Sequence, residues 1–564
     1  MSDELGQELS DYLSRLVPFG FAGAVLAARE GVIIEQGGYG LADRARRVPV
    51  TAETLFDIAS FTKWFTAVAI LKLAQEGKLD LGDTINLYFE DVPPDKTGIT
   101  IHQLLTHTAG LQLYSGEDYE AISRDDAVKR ILDAPLQAAP GAEYHYSNPS
   151  YSLLGAIIEI VSGMTYEAYL NKYLFKPAHM TKTGYVLPIW ESDKVMHCYD
   201  GARDAGTPLD LGWMQEGPGW NLHANGGMLS TVGDLYKWHL ALEDDTLLSE
   251  EARGLMLTPY VQAVGTLPEG ASSGYGVYIS KKPRGTRLIT RGGTSDYSHA
   301  GYEHFVDEDV VLIMLASRDN FPVRVVEENL VSIIFGPSTP AFPPAAMVEL
   351  TASELDEYCG VYLLPSGAKL SIGATESALV ITPSGQEAIN LFMEADPQQL
   401  AHYAELNALA TSIVEAMAVG DFGPLEVVTP PERVQPRRRH FEKLWQSWSD
   451  SYTGYRVIGT APSSLLRSVG AAATIVALDM KDGLEYLTFL WKDGELDGTI
   501  NGLVEQRATV AVSHASTEFV AFNLITEVST PIRFHLTSEG KATKLSVRPD
   551  EGEYESRVAY REEQ

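Results

Sequence analysis

A proline-rich segment near the middle of the chain is the feature that most constrains its fold. The segment has neither helical nor strand periodicity and reads Gly336-Pro337-Ser338-Thr339-Pro340-Ala341-Phe342-Pro343-Pro344. Proline fixes φ and removes a backbone donor, so such a run interrupts regular structure and marks a linker. Because a chain of 564 residues is too long for one ordinary hydrophobic core, we expect separate folding units on either side.

The region before the linker, residues 1–338, has the pattern of an α/β domain. Strand-like runs occur at both of its ends, at 21–28, 32–40, 275–279, 286–290, 297–305 and 310–315. Helical patterns lie between them, including one that begins at residue 64 and a long one over 151–173. Strands at both ends with helices between them predict an α/β (α+β) domain with an antiparallel sheet flanked by helices.

The region after the linker changes to a mainly β pattern. Short strand-like runs with turn signals occur over 350–396 and return over 506–564, as is typical of an all-β module. Two helical patterns followed by further strands lie between them, over 397–505. We therefore predict a linker at 339–349, a β domain formed by the two outer segments, and an α+β insertion between them.

The composition excludes several kinds of partner. The net charge is -33 and the pI is about 4.7, which argues against nucleic acid and against adsorption to anionic membranes. We find no secretory pattern at the N-terminus and no apolar run near the ~20 residues that span a bilayer, so we predict a cytoplasmic protein without a membrane partner. Cys198 and Cys359 fall in different predicted domains, so neither a disulfide framework nor a cysteine metal site is expected.

The segment Ser60-Phe61-Thr62-Lys63 carries the strongest chemical signal. It follows an apolar run and opens a helical pattern, which places Ser60 beside free backbone N–H groups and the positive end of the helix dipole. An anion that develops on an attacked carbonyl is stabilised at such a position. Lys63 lies three residues on, on the same helix face, beside the hydroxyl that it can deprotonate. The spacing predicts a serine nucleophile with a lysine base.

A second candidate group is Tyr146-Ser147-Asn148, which precedes a helical pattern. A tyrosine phenol near a lysine can pass a proton to a leaving group, and an asparagine amide can orient a substrate. The similar triplet that begins at Tyr169 lies inside an amphipathic helical pattern, where an aromatic side chain is expected in the core. We therefore predict Tyr146 as a catalytic residue and Asn148 as a substrate contact.

A third candidate group, Arg291-Gly292-Gly293-Thr294, follows a predicted strand. Two glycines at a strand edge allow a substrate backbone to approach closely. The backbone N–H of Thr294 can join that of Ser60 as an oxyanion hole. The alternative interpretation is a glycine turn with a solvated arginine.

Several other matches are set aside. Ser538-Glu539-Gly540-Lys541 repeats the serine–lysine spacing but lies in a predicted β-turn, and the serine motif over 270–274 lacks the strand-to-helix context of a nucleophile and is interpreted as a flexible turn. His102 and His107 are five residues apart, off the helical spacing of metal ligands, and no His-Glu-x-x-His occurs. His107 is predicted to be a hydrogen-bonding structural residue. No metal site and no cofactor are predicted.

Together with these motifs, residues 1 to about 335 resemble the serine β-lactamase-like superfamily, which includes penicillin-binding proteins, and in particular the group of class C β-lactamases, family VIII esterases and D-aminopeptidases. The run Leu-Leu-Thr-His-Thr-x-Gly-Leu at 104–111 is similar to a stretch common in that group, as is the segment 224–231 followed by Asp234. The resemblance implies that Ser60 is acylated, that Lys63 and Tyr146 manage its proton, and that Asn148 contacts substrate.

The chain departs from this family at the third motif, where Arg291 stands in place of the usual lysine or histidine. Arginine stays charged and can bind a carboxylate through two parallel hydrogen bonds, so Arg291, Gly292 and Gly293 are predicted substrate contacts. After the linker, 350–396 and 506–564 resemble two portions of a lipocalin-like barrel, and 397–505 is similar to a module of the nuclear-transport-factor type.

We therefore predict a cofactor-free serine hydrolase that cleaves an amide or ester through an acyl-Ser60 intermediate. A peptidase or amidase similar to D-aminopeptidases, acting on a small molecule or short peptide, is the first hypothesis. A family VIII-type esterase or acyltransferase is the alternative, and a β-lactamase or a non-catalytic binding module are further ones. A homo-oligomer is compatible with this prediction.

Overall fold

The structure is a computed structural model that describes residues 2–188, 190–200, 203–214, 217–263, 270–281, 285–318, 321–336, 340, 342–346, 348–375, 377–393, 396–463, 471–481, 483–501, 509–523, 528–538, 540–548 and 558–562. The chain forms two compact units. The first comprises Met1–Ser10 and Phe21–Asp319, and the second comprises Asp11–Gly20 and Asn320–Gln564.

The first unit is built on an antiparallel sheet. The strands of this unit are β1 Gly23–Arg29, β2 Val32–Tyr39, β3 Leu41–Asp43, β4 Val48–Pro49, β5 Phe56–Asp57, β6 Tyr199–Asp200, β7 Arg203–Asp204, β8 Leu229–Ser230, β9 Val261–Gln262, β10 Ser272–Ser273, β11 Tyr278–Lys281, β12 Arg287–Thr294, β13 Ser298–Phe305 and β14 Val310–Ser317. Eight of these strands form the main sheet, in the order β2-β1-β14-β13-β12-β11-β10-β9. β1 and β14 pair in the sheet although they come from opposite ends of the unit, as the sequence predicts.

One helix of the first unit, which begins at Thr62, is buried on nearly all sides. The helices are α1 Ser2–Leu16, which continues into the second unit, α2 Thr62–Gln75, α3 Ile101–Leu105, α4 Arg124–Asp133, α5 Asn148–Ser162, α6 Tyr166–Leu170, α7 Val232–Glu243 and α8 Glu250–Met256. In α2, residues 62–71 and Leu73 are all buried. A helix with no solvent-facing stripe in its first turns is held rigidly, which suits a helix that carries a reactive residue.

Two local expectations are wrong in detail. The helix predicted over 151–173 is interrupted after Ser162, because Gly163 takes the left-handed conformation with φ 67° and caps α5. The segment 270–274, interpreted as a flexible turn, contains the short strand β10, which pairs with β9 and β11. As the sequence predicts, Tyr169 is buried, with none of its surface exposed.

The second unit contains a closed barrel of eight strands and a separate four-stranded antiparallel sheet. Its helices are α9 Val323–Phe335, α10 Ala352–Asp356, α11 Gln386–Asn390, α12 Pro397–Ala418, α13 Gly423–Val427 and α14 Val434–Trp448. The barrel strands are β15 Gly360–Leu363, β16 Lys369–Ala374, β17 Leu379–Ser384, β22 Thr509–Ala515, β23 Glu518–Asn523, β24 Val528–Leu536, β25 Ala542–Val547 and β26 Val558–Arg561. The strands β18 Tyr452–Pro462, β19 Ala472–Met480, β20 Gly483–Lys492 and β21 Glu495–Asn501 form the second sheet.

These elements confirm the predicted fold class, an antiparallel sheet with helices followed by a mainly β region that includes a barrel. The domain boundaries stay predictions. Residues 337–339, 341 and 347, which belong to the proline-rich segment or to the predicted linker, lie outside the described residues, as does Glu539 of the second serine–lysine match. In the described parts of the chain, no single helix is long and apolar enough to cross a membrane, although the bent pair Asn148–Ser162 and Tyr166–Phe175 meets the length and composition test together.

Candidate active site

Ser60 lies in a tight turn that leads directly into the buried helix α2. The turn is a 3₁₀ segment, Ala59–Phe61, in which the Phe61 N–H donates to the Ile58 carbonyl at 3.0 Å. Ala59 has φ 43°, a left-handed conformation that is costly for a residue with a Cβ. Its N–H donates to the Asp57 carboxylate at 2.7 Å, which helps to hold that conformation. The backbone just before Ser60 is therefore forced into a sharp bend that presents the side chain at the start of a rigid helix.

Lys63 places its ammonium group directly against the Ser60 hydroxyl. Its Nζ donates to Ser60 Oγ at 2.9 Å and to the backbone carbonyl of Asn225 at 2.6 Å. Lys63 has none of its surface exposed. Desolvation by this burial lowers the pKa of Lys63 to about 8, although the neighbouring Tyr146 acts in the opposite direction. A lysine with such a pKa can accept a proton near neutral pH.

Tyr146 reaches the same hydroxyl from another part of the chain. Its Oη donates to Ser60 Oγ at 2.9 Å, and Lys63 Nζ lies 5.1 Å from the centre of its ring. Desolvation acts to raise the pKa of Tyr146, but the positive charges of Lys63 and Arg291 outweigh it and lower that pKa to about 8. Tyr146 and Lys63 therefore meet at one hydroxyl, and each favours the charged form of the other.

His107 holds the backbone next to Tyr146. The Ser147 N–H donates to His107 Nδ1 at 3.1 Å, and the imidazole lies 4.4 Å from the Tyr146 ring, centre to centre. Desolvation lowers the pKa of His107 well below its usual range, and the charges of Lys63 and Arg291 act in the same direction. The imidazole is thus neutral and has the hydrogen-bonding structural role that the sequence predicts.

Asn148 begins helix α5 beside Tyr146. Ser147 caps that helix by accepting a hydrogen bond from the Ser150 N–H at 3.1 Å, which fixes the chain direction at Asn148. Asn148 is 9% exposed, and its Oδ1 has no hydrogen-bond partner among the described residues. A buried amide oxygen without a hydrogen-bond partner is energetically costly, which makes this atom unusual within the site.

Arg291 is buried beneath the nucleophile. It is 2% exposed, its Nη2 donates to the backbone carbonyl of Ser60, and its Cζ lies 5.9 Å from the centre of the Tyr278 ring. Its Nε has no hydrogen-bond partner among the described residues. The guanidinium therefore contacts the Ser60 backbone and adds a positive charge that lowers the pKa values of Lys63 and Tyr146.

Strand β12 passes very close to the Ser60 turn at Gly293. A Cβ at this position would lie 2.1 Å from the Ile58 carbonyl oxygen and 2.8 Å from the Ser60 nitrogen, so only glycine fits. Gly292 is more open, since a Cβ there would meet the Ala300 carbonyl at 3.3 Å. Thr294 is the last residue of the strand and is exposed.

The structure brings Lys63, Tyr146 and Arg291 into direct contact with Ser60, and it places Gly293 against the same turn. Sequence reasoning missed two participants. The first is the backbone carbonyl of Asn225, which accepts a hydrogen bond from Lys63. Its segment resembles a stretch of the family, but the sequence does not reveal which backbone carbonyl will act as an acceptor. The carboxylate of Asp57 was also missed, and desolvation raises its pKa to about 6.

The carboxyl group of Asp118 is within electrostatic range of Lys63. Desolvation raises the pKa of Asp118, the positive charge of Lys63 acts to lower it, and the exposed Asp296 acts to raise it further. Tyr114, which interacts with both carboxyl groups, is 56% exposed. Tyr114 and Asp118 therefore interact with each other and, respectively, with Tyr146 and Lys63.

Comparison with known proteins places this geometry in a family. The model of the family described as Beta-lactamase matches residues 20–332. PbpX of Bacillus subtilis (strain 168) is 33% identical over 274 residues, which are 48% of this chain and 64% of that protein, so the chain spans somewhat less than two thirds of that relative.

Two solved structures show the same fold. The octameric penicillin-binding protein homologue from Pyrococcus abyssi matches with a TM-score of 0.52 and 18% identity, over 96% of this chain and 97% of that one. D-amino acid amidase from Ochrobactrum anthropi SV3 matches with a TM-score of 0.52 and 22% identity, over 59% of this chain and 100% of that one. Since the family match spans more than half of the sequence, the chain belongs to the beta-lactamase family of serine hydrolases.

Proposed function

We propose that the protein hydrolyses an amide or ester bond through a covalent acyl-Ser60 intermediate. The observation that carries this proposal is the placement of Ser60 Oγ 2.9 Å from both Lys63 Nζ and Tyr146 Oη. A serine hydroxyl is a weak nucleophile unless an adjacent base removes its proton. Two groups with lowered pKa values contact this hydroxyl, so one can accept a proton while the other keeps one.

In the proposed acylation, Ser60 Oγ attacks the substrate carbonyl carbon and its proton passes to the deprotonated member of the Lys63–Tyr146 pair. The carbonyl oxygen takes up the displaced electron pair, and the N–H groups of Ser60 and Thr294 are the proposed donors to it. The bond to the amine or alcohol then breaks, and the proton held by the pair goes to the leaving group. Water attacks the acyl-Ser60 in the same way and releases the acid.

The role proposed for Arg291 is electrostatic, and it is not a direct contact with a substrate carboxylate. Its burial and its contact with the Ser60 carbonyl favour an indirect, electrostatic effect. A fixed cation here keeps the Lys63–Tyr146 pair less protonated, because it disfavours a further positive charge nearby. Asn148, with its unpartnered Oδ1, is the proposed contact for a substrate amide.

The substrate class that we propose is an amide of an amino acid or short peptide with a free amino group. The carboxylate of Asp118, which interacts with Lys63, suits an ammonium group on the bound substrate. The structural likeness to a D-amino acid amidase, which was solved in complex with D-phenylalanine, agrees with this class. An esterase or acyltransferase is the second candidate, because Leu113 and Tyr114 are exposed next to the Asn148 backbone and offer apolar surface to an acyl chain.

A panel of substrates separates these activities. We expect wild-type protein to cleave D-alanine amide faster than N-acetyl-D-alanine amide, which lacks the ammonium group, and we expect Ser60→Ala to cleave neither. Asp118→Asn should remove the preference for the free amine, whereas the matched variant Asp133→Asn, at the exposed end of α4, should keep it. Faster turnover of p-nitrophenyl acetate and butyrate with no preference among the amides would favour the esterase instead.

Self-association is also proposed. The similar Pyrococcus abyssi protein is octameric and matches over nearly the whole of this chain. Light scattering coupled to gel filtration should give a mass that is a multiple of the 61.6 kDa chain, and a mass of one chain at all concentrations would reject an oligomer.

A further inference from the structure

Away from Ser60, two histidines and a glutamate converge in the first unit. His239 and Glu243 lie four residues apart on helix α7, a spacing that puts both side chains on one face of the helix. His304 lies on strand β13. Nitrogen or oxygen atoms from the three side chains all lie within 4.8 Å of one another.

We propose that His239, Glu243 and His304 bind a divalent transition metal ion, with Zn²⁺ as the best fit. Two imidazole nitrogens and one carboxylate oxygen form a ligand set that zinc commonly takes, with distances of about 2.0–2.2 Å and a water in the fourth position. Imidazole ligands disfavour Mg²⁺ and Ca²⁺, which prefer oxygen. The proposal concerns a site outside the serine machinery and does not depend on the proposed hydrolase activity.

The surroundings of His239 support this assignment. Its Nδ1 lies 2.9 Å from the Tyr302 hydroxyl, which leaves Nε2 for a metal. A hydrogen bond at the ring nitrogen that does not bind the metal usually orients a ligating imidazole and fixes its tautomer. The rings of His239 and His304 have centres 4.7 Å apart at an angle of 74°, and each residue is 5% exposed. Both imidazoles are therefore held in place by the core.

Glu243 is the exposed member of the three side chains. It is the last residue of α7 and is exposed, so its side chain can turn toward the two histidines without moving the core. The nearby Arg253 is engaged by the backbone carbonyls of Leu242 and Glu243, both at 2.7 Å, and by Asp245 at 3.2 Å. These contacts direct Arg253 to the helix end and to another carboxylate. The charges of Arg287 and Asp309, which also face this region, have opposite signs.

Metal binding is tested on the full chain after removal of metals with a chelator. We expect wild-type protein to bind one equivalent of Zn²⁺ in competition with a chromophoric zinc indicator. Glu243→Gln and His304→Gln should each weaken this binding by roughly 100-fold or more, since even the loss of an outer hydrogen-bond partner costs about 10–100-fold. The matched control Glu251→Gln, on the exposed face of α8, should bind as wild type does. Ser60→Ala should also bind normally, which separates this site from the hydrolase.

A second measurement covers the case in which His304→Gln fails to fold. Zn²⁺ should raise the melting temperature of the wild type and of Glu251→Gln, because a ligand of the native state stabilises it, but not that of Glu243→Gln. Glu243→Gln should melt at the wild-type temperature without metal, since the side chain is exposed. Absence of saturable Zn²⁺ binding in the wild type, or equal affinity and equal stabilisation in Glu243→Gln, would overturn the proposal and leave the cluster as core packing.

Discussion

Two side-chain clusters in the first unit are assembled from the same kinds of element, a helical turn and a neighbouring strand. At each, one turn of helical chain supplies two residues, Ser60 with Lys63 in one cluster and His239 with Glu243 in the other. A neighbouring strand of the sheet, β12 or β13, then adds a third residue. In the Ser60 cluster Lys63 and Tyr146 contact the serine hydroxyl at hydrogen-bond distance, whereas the side-chain nitrogen and oxygen atoms of the His239 cluster lie within 4.8 Å of one another. Direct contact suits the proton transfer proposed at Ser60, and convergence without direct contact suits the metal ion proposed at His239.

The largest effect on the rate of acylation is expected from Tyr146→Phe. Loss of the phenol removes one of the two groups on Ser60 Oγ, so acylation should slow by about 10²–10⁴-fold, the usual range for a general acid–base group. Zn²⁺ binding should not change. Stopped-flow measurement of acylation by a p-nitrophenyl ester checks the rate, and the matched variant Tyr144→Phe, whose hydroxyl contacts Tyr278 at 3.0 Å, is the control. Wild-type acylation in Tyr146→Phe would remove this residue from the mechanism.

The next effect is expected from Gly293→Ala. The added Cβ would lie 2.1 Å from the Ile58 carbonyl, so β12 or the Ser60 turn must shift. A shift of about 1 Å can cost roughly 10²-fold in rate, and overpacking costs about 1–3 kcal/mol of unfolding free energy. Kinetics and urea unfolding measure both. Gly292→Ala, where the nearest atom is 3.3 Å away, should lose much less, and equal losses in the two variants would contradict the close approach.

A smaller effect on rate, but a distinct one on pH dependence, is expected from Arg291→Met. In the wild type, kcat/KM should rise with pH, peak near 8 and fall above it, because one member of the Lys63–Tyr146 pair must be deprotonated while the other keeps a proton, and both pKa values are lowered to about 8. Without the cation both pKa values rise, so the profile should move to higher pH and the rate at pH 7 should fall by about tenfold. Arg287→Met, on the same strand, should keep the wild-type profile. A loss confined to anionic substrates would instead support direct carboxylate binding by Arg291.

The predictable parts of the site are those that short spacing encodes. Ser60 and Lys63 are one helical turn apart, and the Tyr-x-Asn group stands before a helix, so both could be identified without the fold. The burial of Arg291 could not, because the sequence gives no sign that a charged residue will lie beneath a turn more than two hundred residues away. His304 was missed for a related reason, since only the sheet brings β13 to α7.

The same distinction applies to the fold. The antiparallel sheet could be predicted because strand-like runs stand at both ends of the first unit, and a β domain could be predicted because such runs stand on both sides of a helical segment. The barrel itself was predicted only through the resemblance to lipocalin-like proteins. The end of α5 was missed, although Gly163 is a common helix C-cap, because the apolar pattern continues into α6. Periodicity predicts which segments are buried, and turn chemistry determines where they end.

The most direct test of the central claim is the mass of the intact protein, quenched during turnover of p-nitrophenyl butyrate. We predict one added butyryl group, located by peptide mapping to Ser60, with no adduct and no turnover in Ser60→Ala. Turnover that persists in Ser60→Ala, or an adduct on a different residue, would contradict the assignment of Ser60 as the nucleophile.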